Sequence, residues 1–366
     1  MQWSVYKKVG KRILQVLIPA IILLLIIYTM RDDWSKLAAH QFQLQPGFLA
    51  LSFVGFLLQE LSYGLIWRAV LGRLGVRLDL RACLRIYLAS EFVRYIPGNV
   101  WHVLTRILWV GKYGVSRPVA FASMTIELIT KLAAGAIVFA VSLFFWQDVG
   151  GLGNLLHGTP LIGSLGTPFV VTLGVACLLA LLVGLHPRIL NSVMGRALRL
   201  LKREPVVLTL RYQDILLVTL AWCGSWFIAG CAFYALLLAL WPQAPLAALP
   251  LCIGIYAFVW DFGFLSFITP SGLGVREVAV VVLFSLAFPL PAGIALILAL
   301  VSRIVSTLAE LLCVSVAYIS GGRQMRAVTQ AQQDQSLPAE TGLEGLHAEE
   351  MASEASTRVG VEGGGR

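Results

Sequence analysis

Charge is scarce in this chain. Of its 366 residues only 13% are Asp, Glu, Lys or Arg, about half the share found in a soluble domain. Too little polar surface remains to cover a water-soluble globule of this size, so an ordinary cytosolic enzyme, a disordered protein and a secreted disulfide scaffold are set aside. The six cysteines (Cys83, Cys177, Cys223, Cys231, Cys252 and Cys313) form no CxxC pair and lie inside apolar runs, where they read as small buried hydrophobes. The five histidines, His40, His102, His157, His186 and His347, are scattered singly, so no metal cluster is expected. No GxxxxGK[ST] run occurs, and with it goes a nucleotide site of the P-loop kind. No cofactor is implied.

Apolar residues are plentiful instead: 58% of the chain, with a mean hydropathy of +0.82. An all-α polytopic membrane protein follows, because helices satisfy their own backbone in lipid and cross a core of about 30 Å with about 20 apolar residues each. Apolar runs at 13–30, 47–67, 118–146, 160–185, 212–240, 245–267, 276–288 and 291–319 predict about eight spans. The run at 276–288 is short and fits a tilted or protein-buried segment. The first run follows Lys7, Lys8, Lys11 and Arg12 but leads into Asp32 and Asp33 with no small-x-small cleavage site, so it reads as an uncleaved signal anchor.

Basic residues orient the spans. With the N-terminus inside, the inner connections carry nineteen Lys and Arg residues, the outer ones only Arg31 and Lys36. Both termini are then cytoplasmic and the protein is multi-pass in the inner membrane. The net charge of +9 is thus a topology signal and no argument for nucleic acid; anionic leaflet lipids favour the same basic face. From about Ala327 onward the chain is rich in Gln, Glu, Gly and Ser and reads as a disordered cytoplasmic tail, 327–366, behind a membrane domain, 1–326. The tail is too short to house a catalytic domain.

Two stretches break the simple pattern. Ala82–Gly111 holds two short apolar pieces hinged at Pro97-Gly98, with Glu91, Arg94, His102 and Arg106 among them. Asp261–Glu277 is interrupted by Pro270, Gly272 and Gly274, with Arg276 and Glu277 at once behind. Such breaks free backbone groups that lipid cannot satisfy, and they are tolerated where they are packed in protein or line a wet cavity. They are read as re-entrant hairpins whose half-helix N-termini attract anions. Each opens on an acidic-Phe pair (Glu91-Phe92; Asp261-Phe262) and each precedes a span bearing opposite charges, Glu127 with Lys131 and Arg303 with Glu310. That arrangement is compatible with a parallel 4 + 4 repeat about the membrane normal.

Charges at this depth are expensive, about 2.5–3.5 kcal/mol each at mid-bilayer on insertion scales, so they should be paired or wet. Arg94, Arg106, Lys131, Arg276 and Arg303 stand against Glu60, Glu91, Glu127, Asp261, Glu277 and Glu310. Helical spacing suggests Glu127 with Lys131, Glu91 with Arg94 and Arg303 with Glu310 along shared faces. The balance fits either interhelical locks or a polar groove for a lipid head group. Glu60 near a span end reads as snorkelling. Trp101, Trp109, Trp146, Trp222, Trp226, Trp241 and Trp260 read as an interfacial belt.

The run Arg94-Tyr-Ile-Pro97-Gly98-Asn-Val-Trp101, continuing to Arg106 and Lys112-Tyr-Gly114-Val-Ser, resembles the first signature of the lysylphosphatidylglycerol synthase transmembrane-region family. Glu127 in the span that follows fits the family's pattern, and Thr269-Pro270-Ser-Gly272-Leu-Gly274-Val-Arg276-Glu277 resembles the second signature. The resemblance covers about residues 10–320. It implies a flippase-like, lipid-handling membrane domain, here a stand-alone member without an aminoacyl-transferase domain, so lysylphosphatidylglycerol synthesis is not expected of it. Its partners would be membrane lipids (anionic, zwitterionic, aminoacylated, hopanoid or polyprenyl-linked). The substrate-binding candidates are Glu91, Arg94, Pro97, Gly98, Arg106, Glu127, Lys131, Pro270, Gly272, Gly274, Arg276, Glu277, Arg303 and Glu310. Three functions stay open at this point: a non-enzymatic lipid translocase, a membrane-embedded transferase acting on a lipid phosphate, and an accessory subunit holding a lipid- or envelope-biosynthesis enzyme.

Overall fold

A computed structural model describes residues 44–91, 101–146, 166–200, 210–266, 272, 274–288, 290 and 293–319. The expected first span, Arg94, Pro97, Gly98, Pro270 and the tail lie outside the described residues. The chain forms one unit over Met1–Ala317 and a second over Tyr318–Arg366; the fold below is that of the first.

The described residues are helical and contain no strand. In chain order they form α1 (Pro46–Arg73), α2 (Leu80–Glu91), α3 (Trp101–Gly111), α4 (Arg117–Ser142, extended by a 3-10 turn at Leu143–Phe145), α5 (Gly166–Gly184), α6 (Pro187–Leu200), α7 (Tyr212–Leu240), α8 (Ala248–Leu265), α9 (Val275–Ala287) and α10 (Ile294–Ile319). Local sequence sets the boundaries. Proline stands in the first turn of α1 and of α4, where its missing N–H costs nothing. Asp79 accepts from the backbone N–H groups of Arg81 and Ala82 at the start of α2, an N-cap contact. Gly75 and Gly114 take positive φ just beyond α1 and α3, a conformation that side chains disfavour.

Five helices are long and apolar enough to cross a membrane: α1, α4 with its 3-10 extension, α7, α8 and α10. They coincide with five of the expected runs. The described part of the 160–185 run is α5, which is not among the five. At 13 residues α9 rises only about 20 Å, too little for a full crossing, as its short run suggests. Within the basic connection 186–211 the structure has a helix, α6, that the apolar pattern does not announce.

α1 and α7 run antiparallel along their whole lengths. Gln45 N donates to Ala239 O at one end (3.1 Å), and Arg73 Nε meets Asp214 Oδ1 at the other (3.2 Å). α7 also packs on α8 and α4, and α8 on α4 and α9. Small residues permit the close approaches: a Cβ on Gly55 would come within 2.6 Å of Ala232, and one on Gly230 within 2.3 Å of the Ile253 backbone.

Burial is inverted relative to a soluble helix. On α1 the exposed positions include Leu51, Val54, Leu58, Leu61 and Leu65, whereas Ser52, Gln59 and Glu60 are buried. On α10 Ile304, Leu308, Leu312 and Val316 face outward and Ser302 and Glu310 inward. Leucine is at home in hydrocarbon and a carboxylate is not, so lipid sorts the faces in this sense. Glu60 accordingly lies in the interior, which corrects the snorkelling expectation.

Candidate functional site

Three charged clusters lie in the helical interior. The first joins α2, α3 and α4. The Arg106 guanidinium is 1% exposed; its Nε donates to Ser90 Oγ (2.9 Å), Nη1 to Glu127 Oε2 (2.8 Å) and Nη2 to Glu91 Oε1. Tyr87 donates its hydroxyl to the other Glu127 oxygen at 2.7 Å and lays its ring 3.7 Å from the guanidinium carbon. One cation thus ties two carboxylates from separate helices. Glu127 takes Arg106 across helices where the spacing suggested Lys131; Glu91 also meets Arg106, while its expected partner Arg94 lies outside the described residues. The reason is geometric, since the short helices α2 and α3 pack against each other and α3 packs against α4. That brings residues of distant sequence closer than those one turn apart.

The second cluster surrounds Lys131 on α4. Its ammonium lies 3.7 Å from the ring centre of Tyr63 on α1, 3.9 Å from Trp260 on α8, and 5.0 and 5.9 Å from Trp222 and Trp226 on α7. Four aromatic faces in a desolvated site hold a cation by their quadrupoles. Trp226 Nε1 also donates to Lys131 O at 3.2 Å. Trp222 and Trp226 are completely buried in the middle of α7. The interfacial-belt reading is therefore wrong for these two and for Trp260, because their rings serve an interior cation. The spacing of Trp222 and Trp226 by four residues, mid-span and opposite a lone lysine, was the available signal.

The third cluster lies at the second break. Gly272 adopts φ +67°, and a Cβ there would come within 2.7 Å of the Gly263 Cα. Backbone therefore rests on backbone. Gly274 takes φ +82° as the N-cap of α9. These two glycines direct the next residues: the stem of Arg276 crosses Gly263, where an added Cβ would meet its Cγ at 2.4 Å. Glu277 turns back, accepting from Gly274 N (2.7 Å) and from Arg303 Nη1 of α10 (3.1 Å). The carboxylate that answers this helix N-terminus is thus the chain's own, a change from the expectation that its N–H groups await a ligand. Arg303 pairs between helices where the spacing suggested Glu310 along α10. Glu310 instead lies with Glu60 of α1 around Cys313, within electrostatic reach of that thiol.

A small cleft lies between α8, α9 and α10, lined by Tyr256, Val259, Arg276, Glu277, Val280, Ala299, Ser302, Arg303 and Ser306. Ser302 and Ser306 donate to backbone carbonyls, which leaves their oxygens as acceptors. Among the described residues Arg276 makes no ion pair, while the one carboxylate in the lining is engaged by Arg303 and Gly274. The lining therefore offers a cation that makes no direct ion pair among the described residues. No group of three or more metal-ligating side chains occurs among the described residues, and the cysteines described are free, three of them buried.

An all-helical chain with apolar outer faces and charge clusters inside is a multi-pass membrane protein. The family model for the lysylphosphatidylglycerol synthase TM region matches residues 13–313, and the chain belongs to that family. No curated protein matches it.

Proposed function

We propose that this protein is a lipid translocase and that the cleft between α8, α9 and α10 receives the head group. The observation that carries the reading is Arg276: a cation on the cleft wall, between apolar helices, without an ion-pair partner among the described residues. A charge in that position is costly unless water or a ligand answers it. A lipid phosphate is such a ligand, since guanidinium binds phosphate by paired N–H donors. The serine oxygens suit head-group hydroxyls. Acyl chains stay in the bilayer, so only the polar head needs a hydrated path. Membership in a family of membrane regions tied to lipid synthesis agrees with a lipid substrate.

The reading includes a finer topology: about eight spans in the inner membrane, both termini cytoplasmic, the stretches Ala82–Gly111 and Asp261–Glu277 re-entrant from the cytoplasmic side, and the two halves rocking about the cleft. Similar helices on either side of each break, α2 and α3 in one half and α8 and α9 in the other, support it. The closed Arg106 network serves in this scheme as the pivot of the first half.

The test is leaflet exchange. Purified full-length protein in phosphatidylcholine vesicles should accelerate the movement of a fluorescent phosphatidylglycerol, and Arg276→Gln should slow it at least tenfold at equal protein content. Equal rates with and without protein, for anionic and zwitterionic probes alike, would reject translocation. Mass spectrometry of the same vesicles separates the transferase alternative, which changes lipid species where a translocase changes only their sidedness.

A further inference from the structure

Asp261 on α8 is 7% exposed, and its Oδ1 has no hydrogen-bond partner. The carboxylate rests against Gly135 of α4, where a Cβ would come within 2.1 Å of Oδ2. Gly135 lies one turn beyond Lys131, whose ammonium sits over Trp260, the residue before Asp261. Two residues on, Gly263 carries the stem of Arg276. Asp261 consequently interacts electrostatically with both cations, Lys131 and Arg276. The other ionisable groups on the packed elements include Glu277 of α9, held by Arg303 of α10 and Gly274, Glu127 of α4, held by Arg106 and Tyr87, Asp214 of α7, held by Arg73, Arg117 at the start of α4, the phenols of Tyr212, Tyr234 and Tyr256, and the thiols of Cys223, Cys231 and Cys252. The 3-10 turn Leu143–Phe145 contributes none.

We propose that Asp261 is a proton-binding site linked to the head-group cleft through Arg276. An anionic phosphodiester enters the cleft as Asp261 takes up one proton from solution, and it leaves as that proton is released. This rests on the reading of the cleft as a head-group site. The argument is electrostatic. In a low-dielectric interior a carboxylate with an open oxygen stays ionised only through its counter-charges. Lys131 is fixed by four aromatic faces on three helices and cannot follow a ligand. Arg276 lies over Gly263 and lines the cleft, and is therefore the shared charge. A phosphate drawn to Arg276 is a second anion facing the same cation; protonating Asp261 removes the competitor. Linkage is reciprocal, so each ligand strengthens the other. A pH gradient then drives lipid movement, which supplies an energy source to a chain without a P-loop.

The experiment uses the full chain in detergent micelles with three probes: phosphatidylglycerol, phosphatidylcholine and inorganic phosphate. In weakly buffered solution with a pH indicator, phosphatidylglycerol should draw close to one proton per lipid bound, and phosphatidylcholine none. Affinity for phosphatidylglycerol should tighten as pH falls, by at most about tenfold per pH unit, the limit for one linked proton. Asp261→Asn should abolish both the uptake and the pH dependence, and Asp261→Glu should restore them. No preference for phosphatidylglycerol over phosphatidylcholine at any pH overturns the cleft reading and this inference together. A clear preference without proton uptake overturns only the coupling, and so does a pH dependence that survives in Asp261→Asn. Competition by inorganic phosphate at matched concentration makes free phosphate, not a lipid, the ligand and overturns the lipid assignment. Should Asp261→Asn fail to fold, proton uptake by the wild-type protein decides the matter.

Discussion

The Lys131 ammonium and the Trp260 ring meet at 3.9 Å, which seats a helix α4 cation on helix α8 beside the buried acid Asp261. Charge and aromatic face thereby tie two helices at a depth where water cannot help.

The cage makes Lys131 a structural cation with a defined coupling. Lys131→Met keeps the stem and removes the charge, so it should lower stability by about 2 kcal/mol, the scale of a desolvated cation–π site. It also strips Asp261 of a counter-charge. The double variant Lys131→Met/Asp261→Asn should consequently be more stable than the sum of the two single losses implies. A double-mutant cycle read by tryptophan fluorescence during SDS unfolding checks this; strictly additive losses mean that the two charges do not interact.

Arg106 answers two carboxylates, Glu91 and Glu127. Arg106→Leu leaves both buried without their cation and should cost about 3–5 kcal/mol, enough to deplete the protein from membranes. Glu127→Gln retains an acceptor for Tyr87 and should cost less, about 1–2 kcal/mol. Membrane abundance and thermal midpoint in detergent should rank the variants in that order, and the reverse ranking would show that the cation is not the centre of the network.

Two glycines on α7 make a matched pair. A Cβ on Gly230 would meet the Ile253 backbone at 2.3 Å, whereas Gly224 has nothing within 4 Å. Gly230→Ala must push α7 and α8 apart and should destabilise by about 1–3 kcal/mol. Gly224→Ala should be neutral or stabilising by up to about 1 kcal/mol. Thermal midpoints of the two variants in one detergent give the comparison.

Orientation can be read chemically. Leu246, in the turn between α7 and α8, is 72% exposed, and Arg77 lies in the basic connection between α1 and α2. In intact cells Leu246→Cys should react with a membrane-impermeant maleimide, and Arg77→Cys only after permeabilisation. The opposite pattern would invert the proposed topology.

Much of the fold was legible because lipid imposes a coarse rule: a span must be long, apolar and helical. The runs at 47–67, 118–146, 212–240, 245–267 and 291–319 obey it, and each is a helix. The second break was legible for a similar reason, since Gly272 and Gly274 stand where the backbone needs positive φ and close approach. Pairing was not. Spacing along one helix proposed Glu127 with Lys131 and Arg303 with Glu310, yet Glu127 takes Arg106, Arg303 takes Glu277 and Lys131 enters an aromatic cage. The tryptophans misled in the same way: those in mid-span at 222 and 226 look interfacial only while their helix lacks neighbours.

Composition, apolar run length and the positions of proline and glycine were enough to establish a helical membrane protein, the location of its second break and the residues too polar for lipid. Which acid meets which base was decided only when α1, α4, α7 and α8 came together. Hydrophobicity is a property of each residue and accumulates along the chain, whereas an ion pair depends on a few ångströms between residues that helix packing alone brings within reach.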